Sequence, residues 1–146
     1  SEIKDIHNEI AETLECAPIN LIIGEPVPKK DYFDIEVPNK KREYVYLKNI
    51  LESSEYKTQG SYTLFPLGTT TYEDIHTTDI TKLPHILIGG AQGSGKTMFI
   101  HTIINSLIFR NEPKDLKFIL VDSHKKEFEN LYTDLPYLYS PIIEDH

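Results

Sequence analysis

Absences set the first limits. A single cysteine, Cys16, cannot close an internal disulfide, which excludes a disulfide-stapled secreted scaffold and points to a reducing compartment. Cys16 ends an apolar helical pattern and reads as a buried structural thiol. No apolar run reaches bilayer length; the nearest, residues 98–109, is interrupted by His101, Thr102, Asn105 and Ser106. The N-terminus is acidic and polar, without the charged and apolar regions of a signal peptide, so a cytoplasmic location is expected. Basic residues are scarce. The 15 Lys and Arg against 23 Asp and Glu leave a net charge of −8, which argues against a broad nucleic-acid-binding face on this chain. The six histidines show no metal-ligand spacing, no Ser/His/Asp triad is legible, and there are no repeats or low-complexity tracts.

What remains is an apolar fraction of 39% with 10% aromatics, the composition of a soluble globular chain. At 146 residues it has room for one or two small domains. Residues 3–15 place Ile3, Ile6, Ile10, Ala11 and Leu14 on one side of a helix with an acidic outer face, and Pro18 ends it. Residues 20–23 and 32–37 read as strands around the Pro- and Gly-bearing loop 24–30. Lys40, Lys41 and Arg42 form the densest basic run; it reads first as a solvated turn and second as a DNA contact. A helix is expected over 43–52. The polar stretch 53–61 ends in Gly60 and is read as the boundary between two units, 1–60 and 61–146. Beyond it come a strand at 62–65, a Pro-Gly turn at 66–68, and a Thr-rich stretch to residue 80 that suits either a strand or an extended loop.

The most informative stretch is Gly90-Ala91-Gln92-Gly93-Ser94-Gly95-Lys96-Thr97, which matches G-x-x-x-x-G-K-[ST]. Residues 84–89 before it read as a buried strand. Ile100, Ile103, Ile104, Leu107 and Ile108 after it fall on one helix face. Strand, glycine-rich loop and helix are what a phosphate grip requires. Glycines let backbone N–H groups turn toward an anion, and the helix start adds unsatisfied donors. Lys96 can reach β- and γ-phosphates, and the Thr97 hydroxyl can ligate Mg²⁺. Gly90 to Met98 are therefore the expected nucleotide-binding set, with Lys96 and Thr97 acting on the chemistry and Thr97 on the metal. Residues 116–121 read as a buried parallel strand ending at Asp122, 127–132 as a short helix, and 135–143 as an apolar, Tyr-rich tail.

These residues together resemble the FtsK/SpoIIIE family of DNA translocases. The resemblance rests on the P-loop, on Ile35-Glu36-Val37-Pro38-Asn39-Lys40-Lys41-Arg42 with Val45-Tyr46-Leu47, and on Phe65-Pro66-Leu67-Gly68. It continues through Leu83-Pro84-His85-Ile86-Leu87-Ile88-Gly89-Gly90, Ile103-Ile104-Asn105-Ser106-Leu107, Phe118-Ile119-Leu120-Val121-Asp122 and Leu135-Pro136. It implies an α/β fold: part of a small α+β linker or oligomerisation domain (1–60), then the first half of a RecA-like P-loop core with a parallel sheet (61–146). It also implies ATP and Mg²⁺ as cofactors, double-stranded DNA as partner, a homo-hexamer, and no membrane contact from this segment. The chain departs from the family after Asp122, where Ser123-His124-Lys125 replaces Pro-Lys, and at His101, where Asn is common. These departures suggest a divergent member, from a mobile element or plasmid.

The family's acidic Walker B pair lies on a later strand than residues 118–122. Asp122 is accordingly expected to hydrogen-bond near the loop rather than to activate water. The chain is read as a fragment that lacks the Walker B carboxylates, the arginine finger and the DNA-gripping loops. A trans arginine contributes roughly 10³–10⁵-fold in related NTPases, so hydrolysis by this polypeptide alone is expected to be negligible. Two other readings compete. A small GTPase needs Asn-Lys-x-Asp after its P-loop, whereas Asn39-Lys40 precedes it. A non-catalytic oligomerisation and nucleotide-binding module of a mobile-element or plasmid-encoded relative is the stronger alternative.

Overall fold

The computed structural model describes residues 2–13, 22–23, 35–36, 41, 43–70, 72–123 and 127–143. The chain divides into two compact units, Ser1–Tyr44 and Val45–His146. Residue 60, the expected boundary, lies within the second of these units.

In the first unit, helix α1 spans Glu2–Thr13. Ala11 on it is buried, while Glu9 and Glu12 are exposed, in keeping with the acidic outer face read from the pattern. Strands β1 (Ile22–Ile23) and β2 (Ile35–Glu36) pair antiparallel, Ile22 opposite Glu36 and Ile23 opposite Ile35. Cys16, Pro18, the loop 24–30, Lys40 and Arg42 lie outside the described residues.

The second unit begins with helices α2 (Leu47–Glu52) and α3 (Ser54–Lys57). Ser53 separates them: its hydroxyl donates to the Ile50 carbonyl at 2.7 Å and accepts from the Tyr56 N–H at 3.1 Å, closing one helix while capping the next. Ile50, Leu51, Tyr56 and Leu64 form a cluster, and the Tyr56 hydroxyl donates to the Leu64 carbonyl at 2.8 Å. This packing ties α2 and α3 to the chain beyond residue 60.

Strands β3 (Leu64–Thr69) and β4 (Ile75–Asp79) make an antiparallel hairpin. Within the Thr-rich stretch, Ile75–Asp79 are thus a strand. The turn expected at residues 66–68 is instead a register irregularity inside β3, where Pro66 pairs with Thr77 and Gly68 with His76, leaving Leu67 as the extra residue. Gly68 takes φ of +141°, which favours a residue without Cβ. At the hairpin's base, Asp79 accepts from the Thr63 hydroxyl (2.6 Å), the Thr81 hydroxyl (2.7 Å) and the Thr81 N–H (3.0 Å), capping a 3₁₀ turn at Ile80–Lys82. Donation from Thr63, then from Thr81, holds this carboxyl well below the usual carboxylate range.

Helix α4 (Lys96–Arg110) is packed on two sides. Ile103 and Leu107 meet Phe65 from β3, with Ile80, Ile88, Phe99, Leu116 and Phe118 around them. Ile104 meets Phe128 and Tyr132, the latter on the short helix α5 (Glu129–Tyr132), with Leu120, Leu135 and Ile142 nearby. Each such side chain removed from water is worth about 1.5–3 kcal/mol. At its C-terminal end, Arg110 lies 4.0 Å from the Tyr56 ring centroid and donates to the Gln59, Ser61 and Tyr56 carbonyls.

Two expected buried strands are only half realised. Residues 84–89 have no strand partner among the described residues; Leu87 is 98% exposed while Ile88 is half-buried in the core. Residues 116–121 alternate, with Leu116, Phe118 and Leu120 turned toward α4 and Lys117, Ile119 and Val121 exposed. Their pairing consists of isolated parallel bridges, Phe118 with Leu138 and Val121 with Ile143. An apolar strand needs a hydrogen-bonded neighbour on each edge and a cover on each face to be fully buried. Here α4 covers one face. Among the described residues the strands form two two-stranded antiparallel sheets with two isolated parallel bridges, and do not by themselves assemble the expected parallel-sheet core.

Candidate functional site: the loop at the start of α4

Gly90, Ala91, Gln92, Gly93, Ser94 and Gly95 form an exposed loop that runs into α4. Two of its glycines carry the turn. Gly93 has φ of +76° and Gly95 +92°, conformations in which a Cβ would crowd the backbone. A tight Ser94 N–H to Ala91 carbonyl bond (3.2 Å) closes the loop on itself.

The start of α4 leaves donors open. Gly95 caps the helix without a side-chain hydrogen bond, and the first backbone bond into the helix is Phe99 N–H to the Gly95 carbonyl at 2.9 Å. The N–H groups of Lys96, Thr97 and Met98 have no acceptor among the described residues. Such donors, at the positive end of a helix of 15 residues, suit an anion. Lys96 is folded over the same loop: its ammonium donates to the Gly90 carbonyl at 3.0 Å and the Ala91 carbonyl at 2.8 Å. A cation held only by carbonyl dipoles is free to exchange them for an anionic oxygen. The donor set and the Cβ-free turn thus fit a phosphate chain.

Thr97 is half-buried, and its hydroxyl donates to Glu127 Oε2 at 2.8 Å. Glu127 is itself tied down, its N–H donating to Asp122 Oδ2 at 3.1 Å. Asp122 therefore does hydrogen-bond near the loop, through Glu127. Farther along α4, His101 Nδ1 lies 2.7 Å from the Tyr132 hydroxyl, and Asn105 donates to the same hydroxyl at 3.4 Å. Burial pushes the Tyr132 phenol above its ordinary pKa, so it stays protonated and able to donate to His101.

The expected residues 90–98 are thus brought together in one continuous loop and helix start. Lys41 is exposed at a bend in the first unit, and its two basic neighbours are not described. Among the described residues there is no group of three or more His, Cys, Asp or Glu placed to hold a metal by themselves. Sequence reasoning misses Glu127, which it assigns only to a short helix. The available signal is an acidic residue five positions beyond Asp122, at the end of an apolar strand that lies beside the P-loop helix.

Comparison with known proteins agrees in kind. The FtsK/SpoIIIE family description matches residues 46–146. Proteins named DNA translocase FtsK are similar over 145 residues, 99% of this chain: 37% identical in Campylobacter jejuni subsp. jejuni, 38% in Clostridium tetani and 34% in Haemophilus influenzae. The chain spans 15%, 19% and 27% of those relatives, respectively.

Proposed function

Because the chain belongs to the FtsK/SpoIIIE family, we propose that Gly90 to Met98 hold the phosphates of Mg-ATP within the motor of a DNA translocase. The observation that carries this reading is the convergence of donors at one point: the Lys96 ammonium over the loop and three N–H groups at the start of α4 without an acceptor among the described residues. In this reading Lys96 leaves the Gly90 and Ala91 carbonyls for phosphate oxygens and offsets the negative charge that grows there during transfer. The N–H groups of residues 95–98 orient the phosphate chain. Thr97 offers an oxygen lone pair to Mg²⁺. A divalent cation held by Thr97 would supply Lewis-acid withdrawal of charge from the phosphate chain.

The remaining expectations belong to the same proposal. The intact protein would be a hexamer acting on double-stranded DNA, and segments 84–89 and 116–121 would be strands of an incomplete RecA-like sheet. Residues 1–60 would contribute to a linker or oligomerisation domain, with Lys40, Lys41 and Arg42 as its DNA-facing candidates. Its cytoplasmic placement rests on composition, and no helix among the described residues is long and apolar enough to cross a membrane. Exposed Leu87, Ile119 and Val121 favour a second reading, an assembly module that binds nucleotide without turning it over. Size-exclusion with light scattering, with and without nucleotide, separates them: a strict monomer that binds nucleotide argues against the assembly reading. The proposal expects measurable ATP binding that Lys96→Ala abolishes, with negligible turnover in both; robust turnover dependent on Lys96 contradicts the idea that this segment is inactive alone.

A further inference from the structure

We infer that Glu127 is a positioning residue for Thr97: it accepts the hydroxyl's hydrogen bond so that the oxygen's lone pairs face the divalent cation of a bound nucleotide. The inference rests on the proposed nucleotide reading and adds a residue to it.

A threonine hydroxyl has one proton and two lone pairs, so the direction of the proton decides where the lone pairs point. Helix α4 contains three hydroxyl side chains, which behave differently. Thr102 donates back to the Met98 carbonyl at 3.0 Å, and Ser106 to the Thr102 carbonyl at 2.6 Å, the usual i−4 bond within a helix. Thr97 instead donates out of the helix to a carboxylate 30 residues away, at 2.8 Å. Its proton is thereby committed to Glu127, which leaves the oxygen's two lone pairs uncommitted.

Glu127 is exposed, so this bond alone would compete with water. Its surroundings hold it in place. The Glu127 N–H is fixed by Asp122, and the next residue, Phe128, is buried with its ring 5.4 Å from that of His101. Thr97, His101 and Asn105 fall at i, i+4 and i+8, a single stripe of α4. Each of the three meets the segment 127–132, through Glu127 or through the Tyr132 hydroxyl. The stripe docks the segment on α4 with its carboxylate at the first turn. Partners of this kind, one bond removed from a metal, orient its ligands.

The test is binding of a fluorescent ATP analogue, titrated with Mg²⁺ and separately with EDTA, for the wild type, Glu127→Ala, Glu127→Gln and Lys96→Ala. Glu127→Ala is expected to lose about 10–100-fold of the affinity gained on adding Mg²⁺, with binding in EDTA unchanged. Glu127→Gln, whose amide oxygen still accepts from the hydroxyl, is expected to recover most of that gain. A Glu127→Ala protein that keeps the full Mg²⁺ gain overturns the inference. So does one that weakens equally with and without Mg²⁺, the mark of a merely structural role. Failure of the underlying reading looks different: no binding by the wild type, or unchanged binding by Lys96→Ala in both conditions.

Discussion

The β3–β4 hairpin and the segment 84–98 are consecutive in the chain and both contribute to the packing around α4, yet they are built on opposite terms. In the hairpin the backbone groups are paired along the ladder, Phe65 and Pro66 are fully buried, and Asp79 accepts three hydrogen bonds. In the segment that leads to the loop, no ladder forms among the described residues, Leu87 is 98% exposed, and Lys96 donates to carbonyls of its own loop. The hairpin's donors are spent on the fold. The loop's donors remain open to an anion, at a cost the packing of α4 offsets.

That contrast can be broken at its strong end first. Phe65→Ala removes a ring 1% exposed that stacks edge-on against Phe99 at 6.1 Å, and should cost about 3–5 kcal/mol in urea unfolding. Lys96→Ala should stay within about 0.5 kcal/mol of the wild type in the same measurement. A large loss from Lys96→Ala would mean that the loop, too, is part of the scaffold. Gly95→Ala forces a Cβ onto a φ of +92° and should cost roughly 1–2 kcal/mol, together with nucleotide affinity. Wild-type affinity in that variant would show that the turn is dispensable.

The next test is one of acid. The Asp79 carboxyl is depressed in the folded state, so its contribution is fully present above the unfolded pKa of about 4 and is lost as pH falls toward the folded value. Asp79→Asn should therefore melt lower than the wild type at neutral pH, and the gap should narrow as pH drops below about 4. A gap that is constant with pH would rule out the carboxylate as its source. Smallest of all, Leu87→Glu should change stability by no more than about 0.5 kcal/mol, because the side chain has nothing to leave. A large loss would place a cover over that face.

Legibility in the sequence divides along the same line. Helix α4, its apolar positions and the loop before it are readable because helical periodicity and the eight-residue motif are local signals. The hairpin is readable in composition but not in register: Pro66 and Gly68 look like a turn, and only pairing with Thr77 and His76 shows a strand with an extra residue. The strands at 84–89 and 116–121 read as buried because their side chains are apolar, whereas burial depends on neighbours that periodicity does not report. Tyr56 bonds the Leu64 carbonyl and lies under Arg110, contacts across Gly60 that local composition does not report. Glu127 escapes notice for the same reason, since its partner Thr97 lies 30 residues away.

The central claim, that the start of α4 holds free donors awaiting phosphate while the hairpin does not, is tested most directly by amide hydrogen exchange with and without Mg-ATP. The account predicts slower exchange at residues 93–98 on adding nucleotide, no change across Leu64–Asp79, and loss of the effect in Lys96→Ala. Unchanged exchange at 93–98, or equal slowing in the hairpin, would contradict it.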